Sequence, residues 1–402
     1  MIDTIHPAWM DEAGVQAVLS ALGAPEVDVR VVGGCVRDAL AGRAVADIDV
    51  ATPDVPNRVL ARLQAAGLKA IPTGLAHGTV TAVGGRRNIE ITTLRRDTSC
   101  DGRHADVEFT SDWREDAQRR DFTINAMSLK PDGALFDYFG GRQDLAEGRI
   151  RFVGAPADRI REDYLRILRL FRFHAHYGRA PLDAATLAAC AELKEGLSML
   201  SGERVQHELK RLLAAPRPAA ALEAMARVGV LAKILPEVTS AEAMAKLIAV
   251  EKEIDVMPHW LRRLAVLLPE GAYVMPLGAR LRMANRDRDD LAALVAPEPR
   301  ITASMPNTDI DLLLYRLGRD RILDRAMLAA ARGGNMYVWL PVLHRARDWV
   351  HRPMPLTGDD VMALGIAPGP LIGHALDLAE KVWAQSGFTA TREALLKSLQ
   401  KA

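Results

Sequence analysis

The sequence predicts an α+β head followed by an all-helical remainder. Three observations carry that prediction. Short strand and turn signals alternate over about the first 155 residues. Beyond them the strand signals stop, and apolar residues recur at helical spacing. Prolines at 216, 218, 236, 258, 269 and 276 then punctuate the helical stretches as boundaries.

Taken in order, Val27–Val32 reads as a strand running into Gly33-Gly34, and Val36–Leu40 opens a helix. Ala46–Val50 reads as a second strand and Asn57–Ala66 as a helix. Gly78–Val83 and Asn88–Thr93 predict a hairpin around Gly84-Gly85. Asp97–Ala105 is polar and is expected to be a mobile loop. Asp112–Glu115 has the pattern of a capping box. Leu135–Phe139 and Arg149–Val153 read as short strands flanking a Gly140-Gly141 turn. Helices are then expected at Ala157–Tyr177, Ala184–Leu193, Gly202–Ala214 and Pro218–Val228. This layout suggests segments at 1–142, 143–220, 221–340 and 341–402.

The chain has 402 residues, 49% hydrophobic and 26% charged, an ordinary balance that excludes wholesale disorder. No apolar run approaches the roughly 20 residues that span a bilayer. The first nine residues carry Asp3, His6 and Pro7 rather than a signal peptide's apolar stretch. Cys35, Cys100 and Cys190 form no CxxC pair, which fits a reducing, cytoplasmic setting. The net charge of +1 conceals a pattern: residues 1–142 carry −4, whereas residues 149–179 carry +5, with 8 Arg against 3 acids. Of 52 basic residues 42 are Arg, whose planar fork grips phosphate in two places. A GC-rich genome accounts for the global ratio but not for the local cluster.

Gly33-Gly34 followed by Cys35-Val36-Arg37-Asp38, then Asp47-Ile48-Asp49, is the strongest constellation. On a strand, Asp47 and Asp49 face one side and Ile48 and Val50 the other. Two carboxylates about 7 Å apart repel by about 2 kcal/mol at an effective dielectric near 20. A divalent cation removes that cost, and Mg²⁺ favours a few carboxylates plus substrate phosphates. A solvated strand face is the alternative. The glycine pair at the start of a helix makes an anion-binding concavity, with Arg37 one turn further on. A phosphate cradle beside a metal-binding carboxylate pair points to nucleotidyl transfer.

GGCVRDAL followed by DIDVAT resembles the active-site signature of the class II tRNA nucleotidyltransferases, the CCA-adding enzymes and bacterial poly(A) polymerases. Arg119–Ala126 (RRDFTINA) and Arg161–Phe173 (REDYLRILRLFRF) are similar to two further family segments, in the same order. The resemblance covers roughly residues 28–175, with a weaker match at 357–370. It implies a polymerase-β-like nucleotidyltransferase head at 1–142, a base-reading neck at 143–220, a helical body at 221–340 and a tRNA-binding tail at 341–402. It also implies CCA addition to tRNA from CTP and ATP with Mg²⁺. Asp47 and Asp49 would hold the metal, Gly34 and Arg37 the triphosphate, and Arg120 the nucleotide. Asp163 and Arg166 would read the base, with Arg169 and Arg172 continuing toward the phosphates. Asp163 and Arg166, three apart on an expected helix, would be neighbours, the acid orienting the guanidinium. For Arg172 a structural ion pair is an equal alternative. Glu90, on the strand-like segment after the pair, is a candidate third carboxylate with a plain polar strand residue as the alternative, and Arg95 and Asp97 open a loop that in this family helps switch from C to A. Cys35 reads as a small buried residue rather than a nucleophile. No adjacent His-Asp pair in the helical part suggests a phosphohydrolase. Competing expectations are a poly(A) polymerase of the same family, a catalytically silent RNA-binding protein, and a transferase acting on small molecules.

Overall fold

The computed structural model describes residues 4–85, 87–100, 105–238, 240–333 and 335–400. The chain forms two compact units, Met1–Ile234 and Leu235–Ala402.

The first unit is built on strands β1 (Arg30–Val32), β2 (Ile48–Thr52), β3 (Ala70–Gly74), β4 (Thr79–Gly84), β5 (Arg87–Thr93), β6 (Arg95–Cys100), β7 (Ala105–Phe109), β8 (Met127–Leu129) and β9 (Leu135–Asp137). Seven form one sheet in the order β3-β4-β5-β2-β1-β8-β9, and β6 and β7 make a separate ribbon. Only β2 and β5 run parallel; the other pairs are antiparallel. Val80, Ala82, Ile89 and Ile91 are fully buried at alternate positions of β4 and β5. Burying each of the larger side chains contributes about 1.5–3 kcal/mol and fixes the register, since a one-residue slip would turn them all outward. Helices α1 (Ala13–Ala21), α2 (Gly34–Leu40), α3 (Pro56–Ala65), α4 (Trp113–Gln118) and α5 (Gly141–Glu147) belong to this mixed region. Helices α6 (Pro156–Glu162), α7 (Leu165–Tyr177), α8 (Ala184–Leu193), α9 (Gly202–Leu213), α10 (Pro218–Arg227) and α11 (Val230–Ile234) follow without strands.

The β1–Gly33–α2–β2 passage positions the site. Arg30 pairs with Ala51 and Val31 with Val50, so the register continues with Val32 opposite Asp49. The Cys35 thiol closes this corner by donating to the Val32 carbonyl at 3.2 Å. On the other side of β2, Asp49 is in register with Glu90 of β5.

Several expectations change. The second strand begins at Ile48 and runs to Thr52, so Asp47 stands just outside it. The polar stretch after Arg95 is not a loop throughout: β6 and β7 pair from Arg95↔Phe109 to Cys100↔Ala105, and residues 101–104 lie outside the described residues. Arg149–Val153 is no strand; only an isolated bridge joins Phe152 to Phe122. Asp112 caps α4 through the Arg114 N–H at 2.8 Å, but Glu115 bonds the Thr110 hydroxyl instead of completing a box. The helix expected at 157–177 is broken at Asp163, whose backbone is extended (φ −156°, ψ 107°). Its Oδ1 accepts the N–H of Leu165, the first residue of α7, at 3.0 Å, just ahead of the Tyr164 N-cap.

The second unit consists of α12 (Glu242–Glu253), α13 (Trp260–Leu267), α14 (Met275–Arg280), α15 (Asn285–Val295), α16 (Asn307–Leu317), α17 (Arg319–Arg332), α18 (Leu340–Arg347), α19 (Gly358–Met362), α20 (Pro370–Gln385) and α21 (Arg392–Leu399). Trp383, Phe388, Leu356 and Leu395 form one of its cores. Glu251 on α12 is buried between two buried arginines of α13: its carboxylate accepts from Arg262 Nε at 2.9 Å and from Arg263 Nη2 at 2.7 Å. Among the described residues no helix is long and apolar enough to cross a membrane.

Candidate active site

A cavity of about 690 Å³ opens in the first unit beside the glycine bend. Every nominated residue lines it: Gly34, Arg37, Asp47, Asp49, Arg120, Asp163, Arg166, Arg169 and Arg172. They come from α2, β2 and its approach, the turn after α4, the α6–α7 break and α7 itself.

The bend depends on Gly33 rather than Gly34. Gly33 has φ +73° and ψ −123°, a conformation essentially confined to glycine. A Cβ there would meet Arg120 Nη1 at 2.8 Å, whereas one on Gly34 would sit 3.7 Å from Arg37 Nη2. Gly33→Ala should therefore cost at least about 1–3 kcal/mol of stability and displace Arg120 from the cavity. Gly34→Ala should leave the melting temperature much closer to wild type. Melting curves of both variants check the difference.

Asp49 is partly buried, and Asp47 is exposed. Burial, followed by the facing Glu90 and by Asp47, pushes the Asp49 carboxyl above its usual value, against the pull of Arg120 and Arg37. Negative charge at this spot is thus held at a cost that a cation would relieve. Among the described residues no three His, Cys, Asp or Glu side chains converge as a metal cage. A cation held by Asp47 and Asp49 would complete its shell with substrate phosphates and water, the habit of Mg²⁺. The donor set fits that ion. Cys35 is buried, and burial pushes its thiol up to about 11, which removes it as a nucleophile at neutral pH.

The cationic wall is held in place by acids. Arg37 donates to the Asn125 side chain at 2.6 Å and grips Asp38 at 2.9 Å, with its guanidinium 4.7 Å from the Tyr177 ring centroid. Asp38 in turn accepts from the Tyr177 hydroxyl. Asn125 donates to Asp121 at 2.9 Å, and Asp121 accepts from Arg169 Nε at 2.7 Å. Burial opposes ionisation of Asp121, but Arg169 beside it and the Asn125 bond win and hold its carboxyl below the usual value. Arg172, only 3% exposed, pairs with Glu208 at 2.5 Å. Burial still pulls its guanidinium down to about 10. Arg120 reaches Asp116 at 3.3 Å, and Asp116 also holds Arg119.

The expected Asp163–Arg166 contact does not form. Because the helix breaks between them, Asp163 Oδ2 accepts from Arg204 of α9 at 2.7 Å. Arg166 pairs with Glu162 and donates to the Arg159 carbonyl at 3.0 Å. Both still line the cavity. Four further lining or bracing residues escaped the sequence reading: Asp121, Asn125, Arg204 and Glu208. Asp121 and Asn125 sit inside the quoted RRDFTINA stretch, so a signal was present. Arg204 and Glu208 lie 36–41 positions from their partners, beyond any local pattern.

The fold and cavity can be set beside known proteins. Residues 29–151 match the family model described as "Poly A polymerase head domain", and 181–242 match one described as "Probable RNA and SrmB- binding site of polymerase A". The human mitochondrial CCA tRNA nucleotidyltransferase 1 is 37% identical over 383 residues, 93% of this chain and 87% of that protein. The chain belongs to the class II CCA-adding tRNA nucleotidyltransferase family. The CCA-adding enzyme of Limosilactobacillus fermentum is 29% identical over 99% of this chain and 98% of its own. The crystal structure of the Bacillus stearothermophilus CCA-adding enzyme in complex with CTP superposes with a TM-score of 0.75 at 28% identity, covering 99% and 98% of the two chains. Family likeness therefore extends past residue 175 through the helical stretch, where the sequence alone offered only helicity. The chain is an enzyme, a tRNA nucleotidyltransferase, with the mixed head and helical remainder of its family.

Proposed function

We propose that this enzyme adds cytidine, cytidine and adenosine in turn to the 3′ end of tRNA from CTP and ATP. The observation that carries this reading is the convergence of all nine nominated side chains and backbone positions on one cavity. The tRNA 3′-hydroxyl attacks the α-phosphorus in line, and pyrophosphate leaves. Two Mg²⁺ ions held by Asp47 and Asp49 would, when bound, supply charge stabilisation at the attacking and departing oxygens. Gly34 and Arg37 seat the triphosphate, and Arg120, packed close against Gly33, holds the nucleotide. The Arg169 and Arg172 guanidiniums, already fixed by Asp121 and Glu208, keep the wall rigid and positively charged. Residues 1–142 act as catalytic head, 143–220 as neck, and 221–340 with 341–402 as the helical part that holds tRNA.

Base choice falls to Asp163 and Arg166, acting side by side rather than on each other. A carboxylate offers about four acceptor positions. Asp163 spends one on the Leu165 N–H and one on Arg204, which leaves capacity for a base amino group. Arg166 keeps N–H groups beyond those given to Glu162 and to the Arg159 and Arg119 carbonyls. Cytosine and adenine each present an amino donor beside a ring acceptor, and this pair matches both. Uracil and guanine present the reverse order and leave buried groups unpaired, at about 1–3 kcal/mol each.

The deciding experiment supplies all four triphosphates with a tRNA lacking its last three nucleotides and sequences the product. Cytidine, cytidine, adenosine is expected. A run of adenosines alone would replace this reading with poly(A) synthesis. Asp163→Ala and Arg166→Ala should raise UTP or GTP incorporation relative to CTP by about 5- to 150-fold. An unchanged ratio would remove the pair from base reading.

A further inference from the structure

Asp163 lies between α6 and α7 with an extended backbone, outside the regular ladder of either helix. Two contacts set the direction of its carboxylate. Oδ1 accepts the Leu165 N–H at 3.0 Å, and Oδ2 accepts from Arg204 Nη2 at 2.7 Å. The first is made two residues away and moves with the local backbone. The second arrives from α9, 41 positions along the chain, and is independent of that backbone.

Arg204 is delivered by a well-fastened helix. Val205 and Leu209 of α9 are buried. Glu208, four residues after Arg204 and so on the same helix face, is 3% exposed and takes Arg172 of α7 at 2.5 Å. Arg204 also lines the cleft. The Arg204 and Asp163 side chains are 34% and 24% exposed, so their pair adds little to stability. What it supplies is direction. Hydrogen bonds to a carboxylate lie near its plane. Turning that plane about the Cβ–Cγ bond carries the remaining acceptor position away from a base amino group. Water then takes the vacated place. An ionised carboxylate only accepts, whereas water donates to the carbonyl of uracil or guanine as readily as it accepts from an amino group.

We propose that Arg204 is a positioning residue for base choice, holding the Asp163 carboxylate in the plane that accepts the amino group of cytosine or adenine. This rests on the base-reading role given to Asp163 above. Arg204 acts through Asp163 and not on the nucleotide, so the selectivity of the α6–α7 break is set from a helix outside it.

The test measures UTP against CTP incorporation, in competition on a tRNA lacking its last three nucleotides. Four full-length proteins are compared: wild type, Arg204→Ala, Asp163→Ala and the double variant. Both nucleotides compete for one preparation, so a loss of folded protein cancels from the ratio. Arg204→Ala should raise the UTP share at least about fivefold. Adding it to Asp163→Ala should raise the share no further, since the two changes remove one interaction. Arg204→Lys, which keeps the charge and a donor without the planar fork, should recover part of the discrimination. A rise in Asp163→Ala with none in Arg204→Ala overturns the positioning role and leaves base reading by Asp163 standing. A double variant showing the product of the two single effects overturns it as well, because Arg204 then acts on its own. An unchanged ratio in both single variants overturns base reading itself, and this role with it. Should Arg204→Ala yield no folded protein by circular dichroism, Arg204→Lys takes its place in the same cycle, with a smaller rise expected.

Discussion

Replacing Asp49 by Ala should lower nucleotide incorporation by at least about 10³-fold, the loss expected when several kcal/mol of charge stabilisation disappear. The same change should leave the fold intact. Asp49 carries its charge uphill, since burial and the carboxylates of Glu90 and Asp47 all raise its pKa. Removing it without metal therefore relieves repulsion rather than breaking a bond, and the melting temperature should stay level or rise slightly. Added Mg²⁺ should stabilise the wild-type protein, because a ligand that binds only the folded state shifts the equilibrium by mass action. That shift should vanish in the variant. Near-normal incorporation, or a Mg²⁺ shift that survives, would remove Asp49 from the metal site.

The largest stability effect is expected at a buried ion pair outside the nominated site residues. Glu251→Ala in the second unit should cost about 3–5 kcal/mol, the loss typical of breaking a buried ion pair from one side. Arg263 is 2% exposed and gives Nε and Nη2 to this one carboxylate, at 3.0 and 2.7 Å. Arg262, 3% exposed, keeps Asp324 and the Met257 carbonyl but loses its Nε partner. Alanine leaves two guanidiniums sharing a low-dielectric space without that acid. Glu251→Gln keeps the hydrogen-bond acceptor and should cost distinctly less. Urea unfolding followed by far-ultraviolet dichroism measures both, and a loss below about 1 kcal/mol for alanine would show that the arginines repack.

What the sequence made legible was local. Paired glycines after a β-branched run fix a bend because Gly33 needs a backbone conformation other residues avoid. Ile48 and Val50 alternate with Asp49 because one face of β2 is core, so the side of the carboxylate could be read directly. What failed was of two kinds. The break at Asp163 is hidden because the apolar spacing of α6 and α7 runs on in phase, although an Asp that can bond the N–H two residues on is a recognisable turn signal. The β6–β7 ribbon looks like a loop because Arg95–Cys100 is largely polar; backbone pairing with β7 and the Arg96–Glu108 ion pair across the two strands hold it. The bracing of the cleft was out of reach for a different reason. Arg169 and Asp121 are 48 residues apart, and Arg172 and Glu208 are 36 apart. No periodicity spans such distances, so arginines that read as waiting for phosphate prove to be already anchored.

Under the function proposed above, that anchoring bears on how the enzyme would choose its substrate without a nucleic-acid strand to copy. A long cationic side chain gives up about 2 kcal/mol of rotamer freedom when it is immobilised. Here Asp38, Asp121, Glu208 and Glu162 have met that cost during folding, through their grip on Arg37, Arg169, Arg172 and Arg166. Under that function, an incoming nucleotide would encounter a mould already set, and the polypeptide would take the part that the opposing strand plays in a copying polymerase.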